Sequence, residues 1–124
     1  MDDVFSVLLI DDDTHIQEMF GMVFEHHGHT LRVAGDLQGA LAALSDFVPD
    51  VIVLDIFLPH TDGYKVLNTI RAQFPTLLCP IVATTAYYTT DTEGDVMKHG
   101  FDGYLLKPIS PQDLMPYLEK IGGH

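Results

Sequence analysis

Short apolar runs alternate along this chain with longer stretches in which apolar residues return every third or fourth position. The runs at residues 4–10, 30–34, 51–54, 81–84 and 103–106 are of strand length and rich in Val, Ile and Leu. They are apolar at nearly every position rather than every second one, which suits strands covered on both faces, as in a parallel sheet. Between the first two runs, Ile16, Met19, Phe20, Val23 and Phe24 form one helical stripe, and Gly28 ends it. Leu37, Leu41 and Leu44 mark a second helix after Asp36, a candidate N-cap, with Pro49 closing the connection. Val66, Leu67, Ile70 and Phe74 mark a third, stopped by Pro75. Thr90 and Glu93 have the spacing of a capping box and predict a fourth, weaker helix carrying Gly94 and running to about His99. Ser110 and Pro111 open a fifth, with Leu114, Leu118 and Ile121 facing inward; Pro116 inside this pattern predicts a kink or a later start.

Five β-α units with right-handed crossovers predict an α/β fold: a flavodoxin-like, doubly wound, five-stranded parallel sheet of order 2-1-3-4-5 with five helices on its two faces. One domain, residues 1–124, takes up the whole chain, and no internal repeat or linker interrupts it. Such sheets bind ligands at the carboxyl ends of their strands, near the switch point between the first and third.

Composition narrows the function. The 124 residues are 47% hydrophobic, enough for one core and too few for two domains. Eighteen Asp and Glu against six Lys and Arg leave a net charge of −12, a field that repels a phosphate backbone, so no direct nucleic-acid binding is expected. Cys79 is the single cysteine and cannot close an intramolecular disulfide, which fits a reducing, cytoplasmic setting. The N-terminal apolar run follows Asp2 and Asp3 and precedes three more aspartates, the wrong charge for a secretory signal. No stretch reaches the roughly 18 consecutive apolar residues of a membrane span, so membrane insertion is not expected.

The chemistry concentrates where the strands end: Asp11, Asp12 and Asp13 after the first, Asp55 after the third, Thr84 and Thr85 after the fourth, Lys107-Pro108 after the fifth. Adjacent strands lie about 4.8 Å apart, so Asp11, Asp12 and Asp55 can converge. At about 5 Å and an effective dielectric near 20, each carboxylate pair repels by about 3 kcal/mol. Protonation of one acid or a bound cation relieves that repulsion. Oxygen-only ligands with room for water match Mg²⁺. A carboxylate, a divalent metal, a lysine and a hydroxyl together suit phosphoryl transfer, in which Asp can itself be the nucleophile.

The runs Leu8-Leu9-Ile10-Asp11-Asp12-Asp13, Val53-Leu54-Asp55-Ile56-Phe57-Leu58-Pro59, Asp62-Gly63, Ala83-Thr84-Thr85-Ala86 and Gly103-Tyr104-Leu105-Leu106-Lys107-Pro108 resemble the signature set of two-component response-regulator receiver domains. The similarity extends from about Ser6 to Ile121. It implies a phosphoacceptor signalling switch of a phosphorelay rather than a turnover enzyme. Asp55 would take a phosphoryl group, with Mg²⁺, from a sensor histidine kinase, a histidine phosphotransfer protein or a small acyl phosphate. By the same resemblance Asp12 would bind Mg²⁺ directly, Asp11 largely through water, with Asp55 and the main-chain carbonyl of Phe57 as further ligands. Lys107, the Thr85 hydroxyl and the Ala86 amide would contact phosphoryl oxygens. Thr85 is preferred to Thr84 because Ala86 supplies the small residue the family usually has next. Tyr104 resembles the switch aromatic that turns inward when Thr85 moves toward the phosphate, and the Lys107-Pro108 peptide is expected to be cis. Output would pass to a downstream protein through the face of the fourth helix, fifth strand and fifth helix, while the phosphodonor docks near the first helix and the Pro108-Ile109 loop. Bulky Phe57 and Tyr87 flank the path of water to the acyl phosphate, implying slow self-dephosphorylation.

Other readings compete with this one. An aspartyl-phosphate hydrolase of the haloacid-dehalogenase type also places a nucleophilic Asp after a parallel strand. It wants a second Asp two positions on, where Phe57 stands, and a cap. A flavin carrier shares the topology but needs a neutral, hydroxyl-rich loop after the first strand. Asp13 reads as a helix cap. His26, His27 and His29 invite a zinc reading, yet a helix C-terminus and turn suit histidine equally. After Ile121 only Gly122, Gly123 and His124 follow, so the chain is expected either to act alone through protein contact or to be a receiver from a longer chain.

Overall fold

The structure is a computed structural model that describes residues 4–58, 61–86 and 92–123. In chain order the elements are β1 (Ser6–Ile10), α1 (Thr14–His27), β2 (Thr30–Ala34), α2 (Leu37–Leu44), β3 (Val51–Asp55), β4 (Phe57–Leu58), β5 (Thr61–Asp62), α3 (Gly63–Gln73), β6 (Ile81–Thr85), α4 (Thr92–Lys98), β7 (Gly103–Leu106) and α5 (Pro111–Ile121). Five strands pair in parallel in the order β2-β1-β3-β6-β7, which is the predicted 2-1-3-4-5.

The sheet has a core on each face. Leu8, Ile10, Ile52, Leu54, Ile81 and Ala83 point to one side, against Ala40 and Leu44 of α2, Val66, Leu67 and Ile70 of α3 and Val96 of α4. Their neighbours Val7, Leu9, Val51, Val53 and Val82 point to the other, against Phe20 and Phe24 of α1 and Leu114, Met115 and Leu118 of α5. Strand period two and burial on both faces explain the unbroken apolar runs. Each fully buried Leu, Ile or Phe stabilises by about 2 kcal/mol, so a one-residue slip in register would exchange the two cores and break both.

Aspartates cap three helices. Asp13 accepts the His15 N–H at 2.9 Å, Asp36 the Gly39 N–H at 2.8 Å and Asp62 the Lys65 N–H at 2.8 Å. Gly28 ends α1 at φ 69°, the left-handed conformation that glycine takes without strain.

Several features refine the sequence reading. Helix α5 starts at Pro111, as Ser110 and Pro111 predict, and continues through Pro116, which excludes the later start. An interior proline costs roughly 3 kcal/mol, but Leu114, Met115 and Leu118 are buried on this helix and outweigh it. Ser110 makes no side-chain cap bond. The two-residue strands β4 and β5 form a small antiparallel ladder that the apolar pattern does not announce. The proposed capping residue Thr90 lies outside the described residues, as does Tyr87. Among the described residues no helix is long and apolar enough to cross a membrane.

Candidate functional site

Alternation along the strands decides what meets at the sheet's carboxyl end. Asp11, Asp55, Thr84 and Lys107 each follow by two residues a member of the α1/α5 core side, namely Leu9, Val53, Val82 and Leu105. Their side chains therefore share that side of the sheet. Lys107 reaches back from beyond edge strand β7, its Nζ 3.0 Å from Asp11 Oδ2 and 3.2 Å from Asp55 Oδ2. One carboxylate oxygen from each of Asp11, Asp12 and Asp55 lies within 4.8 Å of the others. Asp11 and Asp55 are buried and Asp12 is exposed. Above them opens a cleft of about 420 Å³ lined by Asp12, Asp13, Asp55, Phe57, Ala86 and Lys107.

Backbone groups hold the acids in place. The Asp13 N–H donates to Asp11 Oδ1 at 2.9 Å and the Phe57 N–H to Asp55 Oδ1 at 3.0 Å. Gln17 donates from Nε2 to the Asp11 carbonyl at 2.6 Å, tying α1 to the end of β1. Asp11 Oδ2 faces the Lys107 ammonium, yet no hydrogen bond of good geometry reaches it.

Burial pushes the Asp11 carboxyl above the ordinary aspartate range; the Asp13 N–H and Lys107 oppose this, and the charge of Asp55 adds to it. For Lys107 burial is the largest influence and works against its charge. The two carboxylates together overcome it and hold the ammonium pKa above the ordinary lysine value. One ammonium thus compensates two buried acids, and Asp12 leaves the cluster with excess negative charge. Three carboxylates, all oxygen donors, one of them exposed to solvent and one with an oxygen lacking a hydrogen bond, fit a small hard divalent cation such as Mg²⁺.

Of the residues singled out from sequence, the structure gathers Asp11, Asp12, Asp55, Phe57, Ala86 and Lys107. Thr85 is fully buried at the end of β6, and alternation places it on the opposite face with Ala83 and Tyr104. Tyr104 packs against the α2–α4 core side, and its N–H donates to the Tyr117 hydroxyl at 3.1 Å. The Lys107-Pro108 peptide is cis.

Sequence reasoning passed over Gln17 and the physical reason for Gly63. A Cβ at Gly63 would lie 2.6 Å from Ile56 Cα and 2.9 Å from the Asp55 carbonyl oxygen, so only glycine lets α3 begin against the loop that carries Asp55. The histidines gain no support as a metal site. His29 Nδ1 accepts the Phe5 N–H at 3.1 Å and its Nε2 faces Glu119 at 3.6 Å, while among the described residues only the aspartate trio has metal-binding geometry.

An acidic trio and a lysine at the carboxyl end of a 2-1-3-4-5 sheet define a class, and the comparisons agree with it. The chain belongs to the response regulator receiver domain family, whose model matches residues 7–119. It is 32% identical over 116 residues to the phosphate regulon transcriptional regulatory protein PhoB of Pseudomonas aeruginosa, covering 94% of this chain and 51% of that protein. It is 36% identical over 111 residues to the DNA-binding response regulator MtrA of Mycolicibacterium paratuberculosis, covering 88% of this chain and 47% of the relative. The chain thus spans about half the length of these two relatives. Among solved structures, the chemotaxis response regulator CheY4 of Vibrio cholerae superposes with a TM-score of 0.85 at 26% identity, covering 96% of this chain and 99% of that one. The receiver domain of the Pseudomonas aeruginosa sensor histidine kinase PA1611, with magnesium coordinated in its active site cleft, superposes with a TM-score of 0.83 at 26% identity over 98% of this chain and all of that one. Nothing supports the haloacid-dehalogenase alternative: the receiver family accounts for nearly the whole chain, and Phe57 stands where that chemistry wants a second acid.

Proposed function

We propose that Asp55 is the phosphoacceptor of a cytoplasmic two-component phosphorelay, serving a signalling switch and not a turnover enzyme. The observation that carries this reading is the setting of its carboxylate: buried, held at Oδ1 by the Phe57 N–H, paired at Oδ2 with Lys107, and open to the cleft. A carboxylate oxygen of Asp55 attacks phosphorus in a phosphohistidine or acyl phosphate. The new P–O bond forms as the donor's P–N or P–O bond breaks, and the electron pair leaves with the imidazole or carboxylate. Asp11, Asp12, Asp55 and the Phe57 carbonyl would hold Mg²⁺, which supplies charge neutralisation to the phosphoryl group. Lys107 shifts from the carboxylates to a phosphoryl oxygen, and the Ala86 amide at the cleft wall and the Thr85 hydroxyl take others. Movement of Thr85 vacates space that Tyr104 fills, changing the face of α4, β7 and α5 seen by a downstream protein. The donor, a sensor histidine kinase or histidine phosphotransfer protein, docks on the α1/α5 side, where Met22, Val23, Gln112 and Met115 line a groove of about 560 Å³.

Incubation with acetyl phosphate and Mg²⁺ followed by intact-mass measurement tests the reading. The wild type is expected to gain one phosphoryl group, and neither the Asp55→Ala variant nor the magnesium-free wild type to do so. No gain by the wild type, or an equal gain by Asp55→Ala, would contradict it.

A further inference from the structure

One buried hydroxyl on the acidic side of the sheet has no role in the scheme above. Thr84 is fully buried, and its Oγ1 has no hydrogen-bond partner. Among the described residues, the only other buried side-chain oxygen in that condition is Asp11 Oδ2, a member of the site itself. Orphaned buried hydroxyls are uncommon and destabilising, and threonine could be replaced here by isosteric valine at no loss of packing. Its position is informative. Thr84 is the direct register partner of Asp55, and its carbonyl accepts the Ile56 N–H at 3.0 Å, so the strands are tightly paired at this level. Following Val82 by two residues, its side chain shares the face of Asp55 and Lys107, and Lys107 crosses over β6 on that face to reach Asp55 and Asp11. The Thr84 side chain therefore stands on the face that carries the ion pair, one strand over from Asp55, with about 4.8 Å between the two backbones.

Resting on the phosphoacceptor reading, we propose that Thr84 is a positioning residue for phosphoryl transfer, its hydroxyl donating a hydrogen bond to the Asp55 oxygen that bonds to phosphorus. In the resting state that oxygen is matched by Lys107. During transfer the ammonium is drawn to the phosphoryl oxygens, and rotation about the Thr84 Cα–Cβ bond brings the hydroxyl to the vacated side. No proton is transferred. In dephosphorylation, a separate hydrolysis, a water oxygen attacks phosphorus, the Asp55 O–P bond breaks, its electron pair returns to the carboxylate, and the water proton leaves with the phosphate or to solvent. A hydrogen bond stronger in both transition states than in the resting and phosphorylated states accelerates both reactions.

The test compares wild type, Thr84→Val and Thr84→Ser by three measurements: phosphorylation rate with acetyl phosphate, decay of the phosphorylated form, and metal-free melting temperature. Thr84→Val is expected to slow both rates about tenfold, the worth of one hydrogen bond gained in the transition state, while melting higher than wild type. Thr84→Ser is expected to keep both rates within about twofold, a difference too small to represent the loss of a hydrogen bond. Unchanged rates in Thr84→Val, or equal slowing in Thr84→Ser, would overturn the proposal and leave only a packing role. A wild type that takes up no phosphoryl group would overturn the phosphoacceptor reading, and this inference with it.

Discussion

Asp11 and Lys107 are mutually dependent. The carboxyl is fully buried with one oxygen lacking a hydrogen bond, and the ammonium 3.0 Å away, itself beside Asp55, is the cation placed against it. Removing one partner of such a group is costlier than the pair is valuable, because the other charge stays buried. In metal-free solution Lys107→Met is expected to lose about 3 kcal/mol by urea denaturation at pH 7. The sign of its pH dependence follows from Asp11. Burial already raises that pKa, so the folded state holds the proton more tightly than the unfolded chain, and loss of the ammonium raises it further. The deficit should therefore narrow as pH falls from neutrality into the acidic range; a deficit that widens would contradict the pairing. Phe57 is half exposed and lines the cleft, where, on the proposed function, its apolar ring would keep water from an acyl phosphate. Phe57→Asn combined with Tyr87→Glu is expected to shorten the phosphoryl lifetime about tenfold in a decay time-course, equivalent to about 1.4 kcal/mol of barrier. An unchanged lifetime would remove shielding as the cause.

At the scale of elements, the start of α3 is the tightest junction near the site. Gly63→Ala would drive a Cβ into the backbone of Ile56 and the Asp55 carbonyl, fixed atoms that cannot rotate away. A loss of about 2 kcal/mol is expected from the midpoint of chemical denaturation, and a neutral substitution would mean that the loop after β3 yields. This junction also marks where the sequence stops being legible. The central strands could be read because Val, Ile and Leu fill both faces of β1 and β3, and the helices because Phe20 and Phe24, or Leu67 and Ile70, recur at helical spacing. Asp13 and Asp36 announced their caps by chemistry. Strands β4 and β5 are two residues each, too short for any period to show. Pro116 left a later start open, which burial revealed only by the folded helix sets aside. Gly63 could be quoted as part of a motif, but its reason is a contact between segments. Thr84 and Thr85 are indistinguishable as residue types; only register and alternation send them to opposite faces.

For the whole molecule, a net charge of −12 adds to the local repulsion where three aspartates converge. A ligand that binds only the folded state stabilises it, so Mg²⁺ at a hundred times its dissociation constant should add about 2.7 kcal/mol, a rise in melting temperature of about 10 °C for a domain of this size. Asp12→Ala should abolish most of that rise, and an equal rise in the variant would place the ion elsewhere. Five parallel strands bring the acids together from segments 44 residues apart in sequence, and the same strands carry the receiver-family signature across residues 7–119. The most direct measurement is to locate the phosphoryl group. Reducing the phosphorylated protein with borohydride converts an aspartyl phosphate to homoserine, which peptide mass spectrometry assigns to a residue. The account predicts homoserine at position 55 and only after incubation with Mg²⁺; homoserine at Asp11, Asp12 or any other acid, or none in a protein that has gained phosphate, would contradict it.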